Sequence, residues 1–191
     1  MTAESNSKRQ NNFSNICSQC KTRYRCCRDT RPPITSNRRK IIEAYLKAAK
    51  ITLGRAFIET DYVYPRLNSG KYCIFHDKTT RRCLIHPVKP ETCVAGPITF
   101  DINKKTKKIE WYIKMEKTCQ LAGVVYKSRR LFRKHLRSAK KELGRLLNEL
   151  DSQTLIAILK KEEPETFKIG EDSIDEEILD KLALRELSGG H

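Results

Sequence analysis

The stretch KYCIFHDKTTRRCLIHPVKPETC, residues 71–93, decides how the rest of the chain is read. It carries Cys73, Cys83 and Cys93, each separated from the next by nine residues. Two short apolar runs, Tyr72-Cys73-Ile74-Phe75 and Cys83-Leu84-Ile85, flank the polar segment Asp77-Lys78-Thr79-Thr80. Aromatic and β-branched residues on either side of a polar turn favour extended chain. The stretch therefore predicts a β-hairpin with one cysteine on each arm. Pro87 and Pro90 bound a loop that delivers the third cysteine.

Working outward, Cys17, Cys20, Cys26 and Cys27 lie upstream and Cys119 lies downstream. All eight cysteines fall within 103 positions and none in the last 72 residues, a bias that chance placement rarely produces. They are expected to converge on a metal centre around which the fold is built. Cys17 and Cys20, two residues apart, suit chelation of one metal from a tight turn. The vicinal pair Cys26-Cys27 is different, because adjacent side chains diverge. Either one ligates while the other packs, or the two face different metals.

Soft thiolates select zinc or iron–sulfur clusters. Zinc takes four ligands in a tetrahedron, and a [4Fe–4S] cluster also takes four cysteines. Eight thiols thus serve two centres, or one centre with thiols to spare. The vicinal pair and the excess of thiols suit a polynuclear centre better than a plain zinc site. His76 and His86 are further candidate ligands that eight thiols make unnecessary, and His135 is expected to be solvated.

At 191 residues, 38% hydrophobic and 7% aromatic, the chain fits one domain with a modest core. Metal binding would supplement such a core, since its free energy is also folding free energy. The N-terminal stretch lacks an apolar signal region, and no run of about 18 apolar residues reads as a membrane helix. A cytoplasmic setting is expected, in which clustered cysteines point to metal or redox chemistry rather than disulfides.

The net charge of +16 is uneven: residues 162–191 hold ten acidic and three basic side chains, a net of −7. The basic remainder favours anionic partners, or is simply a solvated surface. No phosphate-binding loop, dinucleotide fingerprint, nucleophile elbow or carboxylate pair is present, so the sequence does not show an enzyme.

The remaining elements follow from periodicity. Residues 38–50 read as a helix capped by Ser36 or Asn37, with Ile41, Ile42, Tyr45, Leu46 and Ala49 on its apolar face. Residues 98–102 and 109–115 read as paired strands that return the chain to Cys119. From Val125 to Leu159 the pattern is helical, with a further start at Asp151 or Ser152. A last helix is expected from Ser173 to Leu187, with Ile174, Ile178, Leu179 and Leu182 on its apolar side. The fold class is α+β: a small cysteine-rich metal-binding domain of short antiparallel hairpins and packed helices, with a helical C-terminal extension. The expected divisions are a disordered 1–15, a cysteine-cluster domain at 16–124, a basic helical extension at 125–161 and an acidic tail at 162–191.

The order Cys17-x2-Cys20, Cys26-Cys27, Cys73-Ile-Phe, Cys83-Leu-Ile-His, Lys89-Pro90-x2-Cys93 and Cys119 resembles the YkgJ-type cysteine-cluster family of zinc- or iron-chelating domains. The resemblance covers roughly residues 16–123. Five residues separate Cys20 from Cys26 where the family often has two, and Gln120 stands where proline often follows the last cysteine. The resemblance implies a small cytoplasmic metalloprotein, often labelled as containing an iron–sulfur cluster, without a settled activity. Some flagellin lysine methylases carry a similar cysteine set.

The leading expectation is a metal-binding protein that holds an iron–sulfur cluster or zinc, in metal handling or redox sensing. The alternatives are a metal-stabilised basic module that binds nucleic acid, and a metal-dependent protein-modifying enzyme. Nucleic acid is the less favoured partner for the basic helix. Its cations Arg129, Arg130, Arg133, Lys134, Arg137, Lys140, Lys141 and Arg145 have a nearer candidate partner in the acidic C-terminal segment. No protein partner can be read from the sequence.

Overall fold

The structure is a computed structural model that describes residues 25–161, 163 and 165–183. Cys17, Cys20 and the end of the expected last helix lie outside the described residues. The fold is α+β, as expected, and is organised around two apolar cores.

The first core begins with helix α1 (Ser36–Ala48). Its cap is Thr35, one residue before the earlier of the two expected caps, Ser36: the side chain accepts from the Arg38 amide at 3.1 Å while the backbone stays extended. Ile42 and Leu46 are buried one turn apart, whereas Ile41 of the expected apolar face is exposed. A small antiparallel pair, β1 (Phe57–Glu59) and β2 (Val63–Pro65), covers them. Phe57 meets Phe75 edge to face at 5.8 Å, and Ile34, Ala56 and Ile85 complete this core.

Residues 71–88 do not form the expected two-stranded hairpin. Only a single antiparallel bridge, His76 with Cys83, joins the two arms, supported by Leu84 N–H to Phe75 O at 2.8 Å and Asp77 N–H to Arg82 O at 2.9 Å. The reason is local. Immediately after each cysteine the backbone tightens into a turn: His76 N–H donates to Cys73 O at 2.9 Å, and His86 N–H donates to Cys83 O at 3.1 Å. A chain turning that tightly cannot run as a strand. The apolar residue two positions after each cysteine, Phe75 or Ile85, is instead driven into the first core, at 1% and 0% exposure.

The second core lies under a three-stranded antiparallel sheet in the order β3 (Ile98–Asn103), β4 (Lys108–Lys114), β5 (Thr166–Ser173). Ile109, Trp111 and Ile113 of β4 are buried on alternate positions, as their spacing predicts. Against them pack α2 (Glu91–Ala95), α3 (Gln120–Lys127), α4 (Arg129–Glu149), α5 (Ser152–Leu159) and α6 (Glu176–Ala183). The helical reading of 125–159 is thus divided by two caps. Ser128 accepts from Leu131 N–H, and Asp151 accepts from Thr154 N–H at 2.8 Å.

Strand β5 was not anticipated. Phe167 and Ile169 alternate, but the acidic residues beyond them read as a helix start. The strand forms because β4 offers a full row of backbone partners, and because Asp172 accepts from Trp111 Nε1 at 2.8 Å and pairs with Lys140 at 2.6 Å. Helix α6 then starts three residues later than expected, with Ile174, Ile178 and Leu182 buried.

The two cores are joined through one buried cation. Arg38 of α1 donates through Nε to Glu91 of α2 at 2.8 Å and through a terminal nitrogen to Glu142 of α4 at 3.0 Å. All three side chains are largely buried, at 13%, 3% and 14% exposure. Arg38→Ala would leave two buried carboxylates facing a void and is expected to cost about 3–5 kcal/mol in urea unfolding. The triple replacement Arg38→Met, Glu91→Leu, Glu142→Leu is expected to recover much of that loss. A single variant as stable as wild type would show that the triad is not a tie.

A second expectation concerns acid. Glu110 accepts from Lys168, Tyr112 and Asn103, which hold its carboxyl down at about 2, below the ordinary 4.5. A depressed carboxyl stabilises the folded chain above its ordinary range, and that contribution is lost as pH falls toward the folded value. Glu110→Gln should therefore flatten the fall of Tm between about pH 4.5 and 2. Superimposable acid limbs for variant and wild type would reject this.

Candidate metal centre

The cysteine segments are brought together by backbone before any metal is considered. A single 3-10 turn, Arg25–Cys27, presents the vicinal pair. Cys73 N–H donates to Cys27 O at 2.7 Å and Asp29 N–H donates to Lys71 O at 2.8 Å, so this turn is tied to the start of the 71–93 stretch. The two turns that follow have the same construction, Cys73-Ile-Phe-His76 and Cys83-Leu-Ile-His86. In each, the amide two residues on (Phe75 or Ile85) donates to the cysteine sulfur. Such a donor favours the thiolate form of each sulfur, the form that binds metals.

Pro90 ends the loop by capping α2, and this short helix, rather than the loop itself, carries Cys93. Cys119 stands at the N-terminal end of α3, with its N–H donating to Met115 O at 2.9 Å. It reaches the site from the side of the second core, against which it packs.

Cys26, Cys27, Cys73, Cys83, Cys93 and Cys119 all line one cavity of about 1910 Å³ between the two cores. The Cys26 and Cys27 sulfurs are 4.0 Å apart, and either can donate to the other. That hydrogen bond, helped by Lys114 and Lys89 and opposed by burial, brings Cys26 down to about 6, while Cys27 is raised. Burial pushes Cys73 up to about 12, and raises Cys83 and Cys93 as well; nearby sulfurs add to the effect. A bound cation is the general remedy for thiols that repel one another's charge. The donor set therefore fits a thiophilic metal. All six described cysteines are free thiols. Among the described residues, no three Cys, His, Asp or Glu side chains stand close enough to share a single ion.

Histidines take different places from those expected. His76, stacked on Tyr72 at 5.2 Å, and His86 line the same cavity. Burial lowers both, His86 to about 4 with help from Lys89 and Arg82, so both are neutral at pH 7. His135 is not solvated: its Nε2 lies 3.0 Å from Ala95 O and 3.1 Å from Gly96 O, at the end of α2. Sequence reasoning missed Lys114, which faces the cavity from β4 beside Tyr112. Its signal was the polar half of the β4 alternation, which reads as solvent-facing but lies toward the thiols.

Comparison with curated proteins and with solved structures returns no match. A family model does match, over residues 16–120, more than half of the chain. It spans every cysteine in the sequence. Thiols from five segments line one cavity, and the chain belongs to the CxxCxxCC family, described as a putative zinc- or iron-chelating domain.

Proposed function

We propose that this chain holds an iron–sulfur cluster through its clustered cysteines, as a cytoplasmic protein of metal handling or redox sensing. The observation that supports this over zinc is the excess of thiols: six described cysteines line one cavity, where a zinc takes four ligands. A tetrahedral zinc with Zn–S bonds of about 2.3 Å holds its sulfurs about 3.8 Å apart. Cys26 and Cys27 meet that spacing at 4.0 Å, and no third donor joins them among the described residues. Cys73, Cys83, Cys93 and Cys119 line the same cavity. A polynuclear cluster fills such a space because its irons and inorganic sulfides occupy the middle while cysteines bind the corners. The ligands on this reading are drawn from Cys17, Cys20, Cys26, Cys27, Cys73, Cys83, Cys93 and Cys119.

Anaerobic purification tests the reading directly. The protein is expected to be brown, with iron and acid-labile sulfide in about equal amounts. Colourless protein with stoichiometric zinc would reject the cluster while leaving metal binding intact. Cys73→Ser, Cys83→Ser and Cys93→Ser should each lose most of the bound metal, and His86→Ala should retain it. Full metal content in all three serine variants would remove these residues from the ligand set.

A further inference from the structure

Helix α4 is charged against its own stability. Arg129 and Arg130 occupy its first turn, where the positive end of the helix dipole repels cations. Its first turn has no acidic residue and its last turn has no basic one. Arg129, Arg133, Arg137 and Lys141 follow one another at intervals of four, with Arg130 and Lys134 alongside, and all six are exposed. Like charges at that spacing repel.

Among the described residues, the acidic C-terminal segment does not relieve this. Its strand and helix are built into the second core, and Asp172 pairs only with Lys140 of this helix. Other nearby carboxylates are also engaged elsewhere: Glu116 with Lys127, Glu163 with Lys114, Glu165 with Lys117. Arg38 holds Glu142, which also reaches Arg145. Among the described residues, none of the six stripe cations lies within ion-pair distance of a carboxylate. Where a local rule is broken without internal compensation, function outside the fold is the usual reason.

We infer that this exposed face of α4 is a docking surface for the phosphate backbone of double-stranded nucleic acid. From residue 129 to residue 141 the helix rises about 18 Å. That is the axial length of about five phosphates on one strand. Four of the six cations are arginines, whose planar fork matches phosphate oxygens. Phe132, the one aromatic residue of α4, packs edge-on against Tyr126, which packs on Phe167, so the stripe offers no platform for stacking single-stranded bases. Contacts of this kind follow the backbone and carry no sequence preference. Arg130 and Lys134 also line the thiol cavity, so a bound duplex would pass its mouth.

The test uses the full-length, metal-loaded protein and a labelled 20-base-pair duplex of arbitrary sequence, with binding followed by fluorescence anisotropy across salt concentration. Wild type is expected to bind with a slope of log K against log salt of about −4 to −5, for five or so neutralised phosphates. Arg133→Glu with Arg137→Glu should weaken binding at least tenfold at low salt, and the neutral pair Arg133→Gln with Arg137→Gln should reduce the slope by about two. Lys40→Glu with Lys47→Glu makes the same charge change on exposed α1 residues and should leave binding within a factor of about two. Absence of salt-dependent binding, equal losses for the α1 and α4 pairs, or binding to phosphatidylserine vesicles but not to duplex would each overturn the proposal. The metal assay is independent, so its result does not decide this one.

Discussion

Arg38 sits where three helices meet, and its two carboxylate partners come from α2 and α4. A buried ion pair contributes little net stability on average, because desolvation consumes most of its Coulomb gain. It does specify geometry. With Glu91 fixed on Arg38, the five-residue helix α2 is held in place at its first residue, and Cys93 two residues later is held with it. His135 fixes the other end of the same helix through the carbonyls of Ala95 and Gly96. A helix this short has almost no stability of its own. Its orientation, and hence the direction in which Cys93 points, rests on these two polar clamps.

The cavity lies on the seam between the cores. Cys73 and Cys83 pack on the first core, while Cys119 packs on the second. On the proposed reading, a metal centre there would be bonded to both, so its binding free energy would count toward docking as well as folding. On that reading, metal binding would supplement the modest apolar content that is divided between the two cores.

Much of this was legible in the sequence where a single physical signal dominated. The alternation of Ile109, Trp111 and Ile113 gave β4, and the leucines at helical spacing gave α4. The metal-chelating family was legible from the bias of the cysteines along the chain. The hairpin at 71–88 was misread because Phe75 and Ile85 favour strand by type, while burial in the first core and the turn after each cysteine decided their conformation. Strand β5 was hidden because its pairing comes from β4, more than fifty residues earlier, and its own composition is polar. The Arg38 triad was also hidden, since nothing in the local sequence joins residues 38, 91 and 142.

The polar composition that hid β5 has a further consequence for solubility. A sheet edge presents unpaired N–H and C=O groups that can recruit a strand from another molecule. Here one of the two edges belongs to β5, where Lys168, Glu171 and Asp172 are exposed and charged. Lys168 spans Glu110 and Glu171 at 2.8 Å each, laying charge across the last strand pair. Removing β5 would uncover the backbone edge of β4, which carries Ile109, Trp111 and Ile113 on alternate positions. The acidic strand thus acts as a gatekeeper over the β4 edge, keeping that row of backbone partners inside its own molecule.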